Sequence, residues 1–368
     1  MKRSKKKILY GITKTSWGGA QKYVYDLAIH FSNDELYEVS VVGGGHGKLF
    51  EKLEENTITI IPIPTLRRDV GLLSELRSFI SLVRIIRRER PDVFHTNSSK
   101  MGLLGAMAGR LLFVPKVIFT AHAWPFNETR PKYQKLILKL LAIVTVLLSH
   151  RTIAVSENIM KALPFSWIQK KITPVYTGIV TPTLYEEGAF FTERSLEKSP
   201  SMQIVSIGEL HTSKGFDRAL IALASCKHLN WTYHILGTGE KREYLEDLIE
   251  KLNLKNRVML HGFVENASLY LNSFDLFLFP SRTEALGYVG IEAIYSKIPI
   301  IASNVGGIPE VLFDDPYSKV IDCSNEKLFK ETLLSMIKKP PHVDEQKRPG
   351  RLRFKPEFMF TATKKIYS

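Results

Sequence analysis

Two carboxylates, Glu284 and Glu292, stand with seven residues between them, two of which are the glycines Gly287 and Gly290. The apolar run 275–279 just before them reads as a strand, and the residues after Gly287 read as a helix. A strand that feeds a Gly-bearing helix start is an anion-binding corner. The N–H groups of the first turn lack intrahelical acceptors, and together with the helix dipole they favour phosphate. Small residues there let a ligand come close to the backbone. Glu284 precedes the helix and can face a ligand at its mouth. If Gly287 opens the helix, Glu292 lies roughly 7 Å along the axis at 1.5 Å per residue, with its side chain leaning back toward the N-terminus. Each carboxylate accepts more than one hydrogen bond, which suits sugar hydroxyls. Spacing alone leaves open two unrelated glutamates on an amphipathic helix, because Glu is a common helix residue.

Such a corner needs a parallel sheet behind it, and the rest of the chain supplies the pattern for two. Residues 7–11 read as a buried strand, followed by a loop with Gly18 and Gly19 and a helical run at 22–30. Strand, Gly-rich turn and helix is the opening of a doubly wound α/β domain, which binds ligands at strand carboxyl ends. Further strands are read at 38–42, 57–63, 92–97 and 117–122, the last two carrying His95 and His122 at their carboxyl ends. A helix is read at 74–90, with an apolar face of Leu76, Phe79, Ile80, Val83 and Ile86 and a basic face and end of Arg84, Arg87, Arg88 and Arg90. The second half repeats the scheme. A strand at 203–208 enters a loop containing Glu209, Lys214 and Gly215, a strand at 231–236 enters a turn with Gly237 and Gly239, and strands at 258–264 and 298–302 follow. The Gly43–Gly44–Gly45–His46–Gly47–Lys48 stretch is not a P-loop. Val42 stands where the first glycine is required, and Leu49 stands where Ser or Thr would hold magnesium.

Composition narrows the class. A chain of 368 residues with 44% hydrophobic and 24% charged residues fits a globular protein of two domains. The two cysteines, Cys226 and Cys323, have neither metal-ligand nor disulfide-scaffold spacing, and fit a reducing compartment. No secretory signal is read at the N-terminus. The most apolar run, 136–148, is shorter than the roughly 20 residues of a membrane span and is expected to be a buried helix. The net charge of +14 is one-sided: residues 1–180 hold 27 Lys+Arg against 13 Asp+Glu, and residues 181–368 hold 24 of each. No nucleic-acid module accompanies this charge. An anionic membrane surface is the expected partner of the first half, with solubilising charge as the plainer alternative.

The Glu284–Glu292 spacing resembles the E-x7-E signature of retaining GT-B glycosyltransferases, and more narrowly glycosyltransferase family 4. The other landmarks occur in the family's order, so the resemblance spans most of the chain. The 98–104 and 120–126 stretches are similar to the subgroup that builds bacterial surface polysaccharides. The implied fold is α/β, GT-B, with two doubly wound Rossmann-like domains facing a cleft. The implied boundaries are an acceptor-side domain at 1–178, a linker at 179–200, a nucleotide-sugar domain at 201–345, and a C-terminal helix at 346–368 that returns to the first domain.

The resemblance also implies roles. Glu292 would hold the ribose hydroxyls and Glu284 the sugar. Lys214, with the helix N–H groups near Gly287, Tyr288 and Val289, would hold the diphosphate. Gly237 belongs to the second Gly turn, and Phe263 would wall the nucleotide base. Gly18 and Gly19 would lie near donor phosphate and acceptor, and His122 beside the transferring sugar. The implied reaction is retaining transfer of a hexosyl or N-acetylhexosaminyl group from a nucleotide-sugar to a saccharide or polyprenyl-linked saccharide acceptor. UDP is the leading nucleotide by family frequency. No metal and no resident cofactor are expected, since protein groups stabilise the leaving diphosphate. The expected location is the cytoplasm, at the inner face of the membrane. One position departs from the pattern: Glu209 stands where the family usually has Arg, and a carboxylate there repels phosphate. That departure keeps open a non-catalytic partner subunit, with another GT-B enzyme such as a sugar-nucleotide epimerase as a further alternative.

Overall fold

The computed structural model describes residues 5–66, 71–128, 130–179, 201–296, 298–344 and 353–368. The chain forms two compact units, Met1–Gly178 with Pro356–Ser368, and Ile179–Lys355. The linker expected at 179–200 lies, beyond Ile179, outside the described residues, as do residues 346–352 of the expected C-terminal segment.

Unit 1 alternates strand and helix: β1 (Lys6–Ile12), α1 (Gly19–Ser32), β2 (Tyr37–Gly43), α2 (Lys48–Glu55), β3 (Thr59–Pro62), α3 (Leu72–Glu89), β4 (Val93–Asn97), α4 (Ser99–Leu111), β5 (Lys116–Ala121), α5 (Lys132–Leu148), β6 (Arg151–Ala154), the short α6 (Glu157–Lys161) and α7 (Ser166–Gln169), and β7 (Ile172–Pro174). The strands are parallel, in the order β3-β2-β1-β4-β5-β6-β7. The order reverses between β1 and β4, which opens a crevice at their carboxyl ends. Leu9, Val42, Leu82, Phe94, Met101 and Val117 share one core on the α3–α4 side of this sheet.

Unit 2 contains β8 (Met202–Ile207), α8 (Phe216–Ala224), β9 (Trp231–Leu236), α9 (Arg242–Lys251), β10 (Val258–Gly262), β11 (Leu276–Phe279), α10 (Tyr288–Tyr295), β12 (Ile300–Ser303), α11 (Ile308–Leu312), β13 (Ser318–Ile321) and α12 (Glu326–Lys338). Its parallel sheet has the order β10-β9-β8-β11-β12-β13, with the reversal between β8 and β11. The final helix, α13 (Pro356–Tyr367), packs in unit 1. Lys364 meets Asp34 at 2.8 Å, Phe360 stacks on His30 at 3.8 Å, and the Tyr367 hydroxyl reaches His95 Nδ1 at 2.5 Å.

Two readings of helix faces need correction. The run 136–148 is not a buried helix. In α5, Tyr133, Leu136, Ile137, Leu140, Leu141, Val144 and Leu147 form one stripe, each 41–65% exposed, while Ala142, Thr145 and Val146 face inward. In α3, Leu76 and Ile80 are exposed, and the inward face is Ser78, Leu82, Ile85 and Ile86. Ser78 tolerates burial because its hydroxyl pairs with that of Thr65 at 2.9 Å.

Candidate functional site

The two loops that flank the reversal in unit 2 are locked into one piece. After β8 the chain turns through a single 3₁₀ turn, Thr212–Lys214. After β11 it runs from Pro280 to Gly287 and enters α10. Arg282 forks onto Asp217 with bonds of 2.7 and 2.6 Å and also donates to the Thr212 carbonyl, and its backbone N–H donates to the Ser213 carbonyl at 2.7 Å. Burial pushes Asp217 up, but the Arg282 hydrogen bonds and charge outweigh it and hold the carboxyl below its usual range. Glycines permit the close approach. A Cβ on Gly215 would lie 2.1 Å from the Pro280 carbonyl oxygen, and one on Gly306 (φ +56°) 1.6 Å from that of Glu284.

Within this frame the Lys214 ammonium donates to Glu284 Oε2 at 2.6 Å. Both side chains are largely shielded, at 26% and 16% exposure. Glu284 Oε1 accepts from the Ala285 N–H at 3.3 Å. Lys214 is thus poised to exchange its carboxylate partner for a phosphate oxygen, and that exchange would free Glu284 to accept from a hydroxyl. Gly287 (φ +91°) caps α10, so Tyr288 and Val289 supply its first N–H groups. Glu292 lies in the second turn of α10 and is partly buried. Gly237 abuts Gly208, where a Cβ would fall 1.9 Å from the carbonyl oxygen; its glycine is required by loop packing. Phe263 stands exposed beyond β10. The Glu209 side chain is exposed and makes no ion pair among the described residues, whereas Lys214 pairs with Glu284. A cavity of about 320 Å³ nearby is lined by His211, Asp217, Lys241, Tyr244 and Arg282, among others, and does not include Glu284 or Glu292.

The remaining predicted residues, His122, Gly18 and Gly19, lie in unit 1. His122 follows β5 and its Nε2 faces Asn97 Oδ1 at 3.0 Å, with the Tyr23 ring edge-on at 4.9 Å. Gly18 caps α1 and Gly19 is its first residue. His95 is a core residue: its Nε2 faces the Thr120 hydroxyl at 2.6 Å and its Nδ1 the Tyr367 hydroxyl. The Arg282–Asp217 clamp joins a residue two positions before Glu284 to one in the first turn of α8, and no local sequence signal marks it. Among the described residues no three His, Cys, Asp or Glu side chains converge as metal ligands would.

Burial holds both His95 and His122 down to about 3, in His95 with help from the neighbouring His122 charge. An unfolded imidazole titrates near 6.5. Below about pH 6.5 the unfolded chain takes up protons that the folded chain refuses, so stability present above that pH is lost as the pH falls. The expected loss at pH 5 is about 2 kcal/mol for the fully buried His95, and less for the part-buried His122. Thermal unfolding between pH 7.5 and 5 should show a falling Tm, less steep in His95→Gln; a flat profile would contradict the two neutral histidines.

Residues 17–181 match the Glycosyltransferase Family 4 model, and residues 190–353 match the model of glycosyl transferases group 1. Over 291 residues the chain is 28% identical to the UDP-Gal:alpha-D-GlcNAc-diphosphoundecaprenol alpha-1,3-galactosyltransferase of Escherichia coli, covering 74% of this chain and 73% of the relative. It is 22% identical to the capsular polysaccharide biosynthesis glycosyltransferase CapM of Staphylococcus aureus, covering 90% and 88%. The crystal structure of Anabaena Alr3699/HepE in complex with UDP superposes with a TM-score of 0.75 at 18% identity, over 98% of both chains.

Proposed function

Since the chain is a GT-B glycosyltransferase, with a Glycosyltransferase Family 4 domain followed by a group 1 domain, we propose that it moves a sugar from UDP-sugar to a saccharide or lipid-linked saccharide acceptor in surface polysaccharide assembly. The transfer retains anomeric configuration and needs no divalent metal. The observation that carries this reading is the Lys214–Glu284 pair at the mouth of α10. It sets a cation and a hydroxyl acceptor at the carboxyl ends of β8 and β11, beside a helix N-terminus, where a nucleoside diphosphate sugar presents the matching groups. Two relatives point the same way: one acts on a diphosphoundecaprenol-linked sugar, and one has been crystallised with UDP.

In this reading Lys214 and the α10 N–H groups neutralise the diphosphate as it leaves, and Glu284 orients the sugar hydroxyls. Glu292 accepts from the ribose. Calorimetric titration without metal should show UDP binding in preference to GDP and ADP. Glu292→Ala should weaken UDP by about 10- to 100-fold, the worth of hydrogen bonds to a charged group. Equal affinity in both proteins would remove Glu292 from the nucleotide site.

The acceptor side is proposed to work against an anionic membrane surface. No helix of the described residues is long and apolar enough to cross a membrane. The α5 stripe instead supports attachment in the plane of the interface. Residues 71–171, which include α3, α4, α5 and α7, hold 16 Lys+Arg against five Asp+Glu, and each basic residue near an anionic leaflet contributes about 1 kcal/mol. Vesicles with phosphatidylglycerol should bind the protein, and the double variant Leu136→Glu, Leu140→Glu should lose at least tenfold in affinity. Unchanged binding would move the contact away from α5.

A further inference from the structure

Beneath α5, unit 1 holds a cavity of about 610 Å³ that the roles assigned above leave unused. One part is apolar, with Leu103 and Leu104 from α4 and Leu138, Leu141 and Ala142 from α5. Another is polar, with Thr13 and Lys14 beyond β1 and Ser98 beyond β4, at the reversal of the sheet. Leu141 lines the cavity and also belongs to the exposed α5 stripe, so the cavity wall and the stripe are continuous. Two ion pairs border the cavity, Lys100–Glu75 at 2.6 Å and Arg130–Glu128 at 2.7 Å. Lys14 is exposed, and its ammonium has no partner among the described residues.

We propose that this cavity takes the first isoprene units of a polyprenyl chain, with the diphosphate at the Thr13–Lys14–Ser98 end. This rests on the reading of a lipid-linked acceptor. A saccharide would leave its hydroxyls without partners against the leucines, whereas an isoprenoid buries its methyl-bearing chain there at a gain proportional to area. The Thr13 and Ser98 hydroxyls bond each other at 2.6 Å and accept from the Met101 and Thr13 N–H groups, which leaves one hydroxyl proton of the pair, beside the Lys14 cation, to donate to the diphosphate. Continuity with the α5 stripe gives the chain a path from the bilayer that does not cross water.

The probes are farnesyl diphosphate and inorganic diphosphate, titrated against the whole chain, with UDP titration and a thermal melt as controls for the fold. Farnesyl diphosphate is expected to bind at least tenfold more tightly than inorganic diphosphate. Ala142→Phe, which fills the apolar part, should abolish that difference while UDP affinity stays unchanged. Lys14→Ala, a change at an exposed position, should weaken both probes by about tenfold. Farnesyl diphosphate binding that is equal in wild type and Ala142→Phe, or no tighter than that of inorganic diphosphate, overturns the subsite. If the probe does not bind but a lipid-diphosphate-linked sugar is still glycosylated, the subsite is wrong and the lipid-linked acceptor stands. If soluble saccharides alone are glycosylated, both fall.

Discussion

Replacing Lys214 by alanine is expected to lower kcat by about 10²- to 10³-fold, equivalent to about 3–4 kcal/mol of transition-state stabilisation. The Lys214 ammonium sits 2.6 Å from Glu284 in a largely shielded position, where charge interactions are screened less than at an open surface. As the sugar leaves, negative charge builds on the diphosphate. A fixed cation is worth more at that moment than in the ground state, so the loss falls on kcat more than on UDP affinity. The variant also leaves Glu284 without its counter-charge next to the phosphates, which adds repulsion. Lys214→Arg should recover part of the rate, because it keeps the charge but not the compact point geometry of an ammonium. Steady-state kinetics decide: a Lys214→Ala rate within threefold of wild type would show that another group carries the leaving charge.

Gly306→Ala should be nearly as damaging, through geometry rather than charge. Gly306 belongs to the turn after β12, not to the Glu284 loop, yet its added Cβ would lie 1.6 Å from the Glu284 carbonyl oxygen. No side-chain rotation relieves that overlap, so the backbone around Glu284 must move. A shift of about 1 Å at a positioning group costs on the order of 10²-fold in rate. The positive φ of +56° adds strain of about 1–3 kcal/mol. The expected result is a lower unfolding temperature together with a kcat about 100-fold down. Gly262→Ala is the control, since its φ of +77° is equally unfavourable but a Cβ there would meet nothing within 4 Å; it should show a small stability loss. If both variants melt and turn over alike, the Gly306–Glu284 contact does not hold the site.

The two parallel sheets and the loop that carries Glu284 could be read along the chain because their signals are local. Apolar strand runs end in Gly turns, and helix starts follow. Which face of a helix turns inward could not be read that way. The α5 stripe at 133, 136, 137, 140, 141, 144 and 147 has the spacing of a buried face, and only the neighbouring elements show that it points outward. In α3 the same ambiguity placed Leu76 and Ile80 inside, whereas the core took Ser78. Pairings over long chain separations were equally hidden. His95 lies in a strand, but what makes it a core residue is Tyr367, 272 positions later, whose hydroxyl faces its Nδ1. Arg282 and Asp217 are 65 positions apart, and nothing in either residue's surroundings announces the other. Lys214 and Glu284 are each legible from their own loops, whereas the direct bond between them spans 70 positions and has no local signal.

The central claim is catalysis of sugar transfer from a UDP-sugar by this chain alone. The most direct measurement is incubation of the purified protein with a panel of UDP-, GDP- and ADP-sugars and a lipid-diphosphate-linked monosaccharide in the presence of a chelator, following free nucleotide and acceptor mass together. The expected result is UDP release matched by a one-sugar gain in the acceptor, with retained configuration in the product and loss of both signals in Lys214→Ala. Folded protein that binds UDP yet consumes no donor and extends no acceptor would contradict the account, and would place the chain among partner subunits whose catalytic centre lies elsewhere.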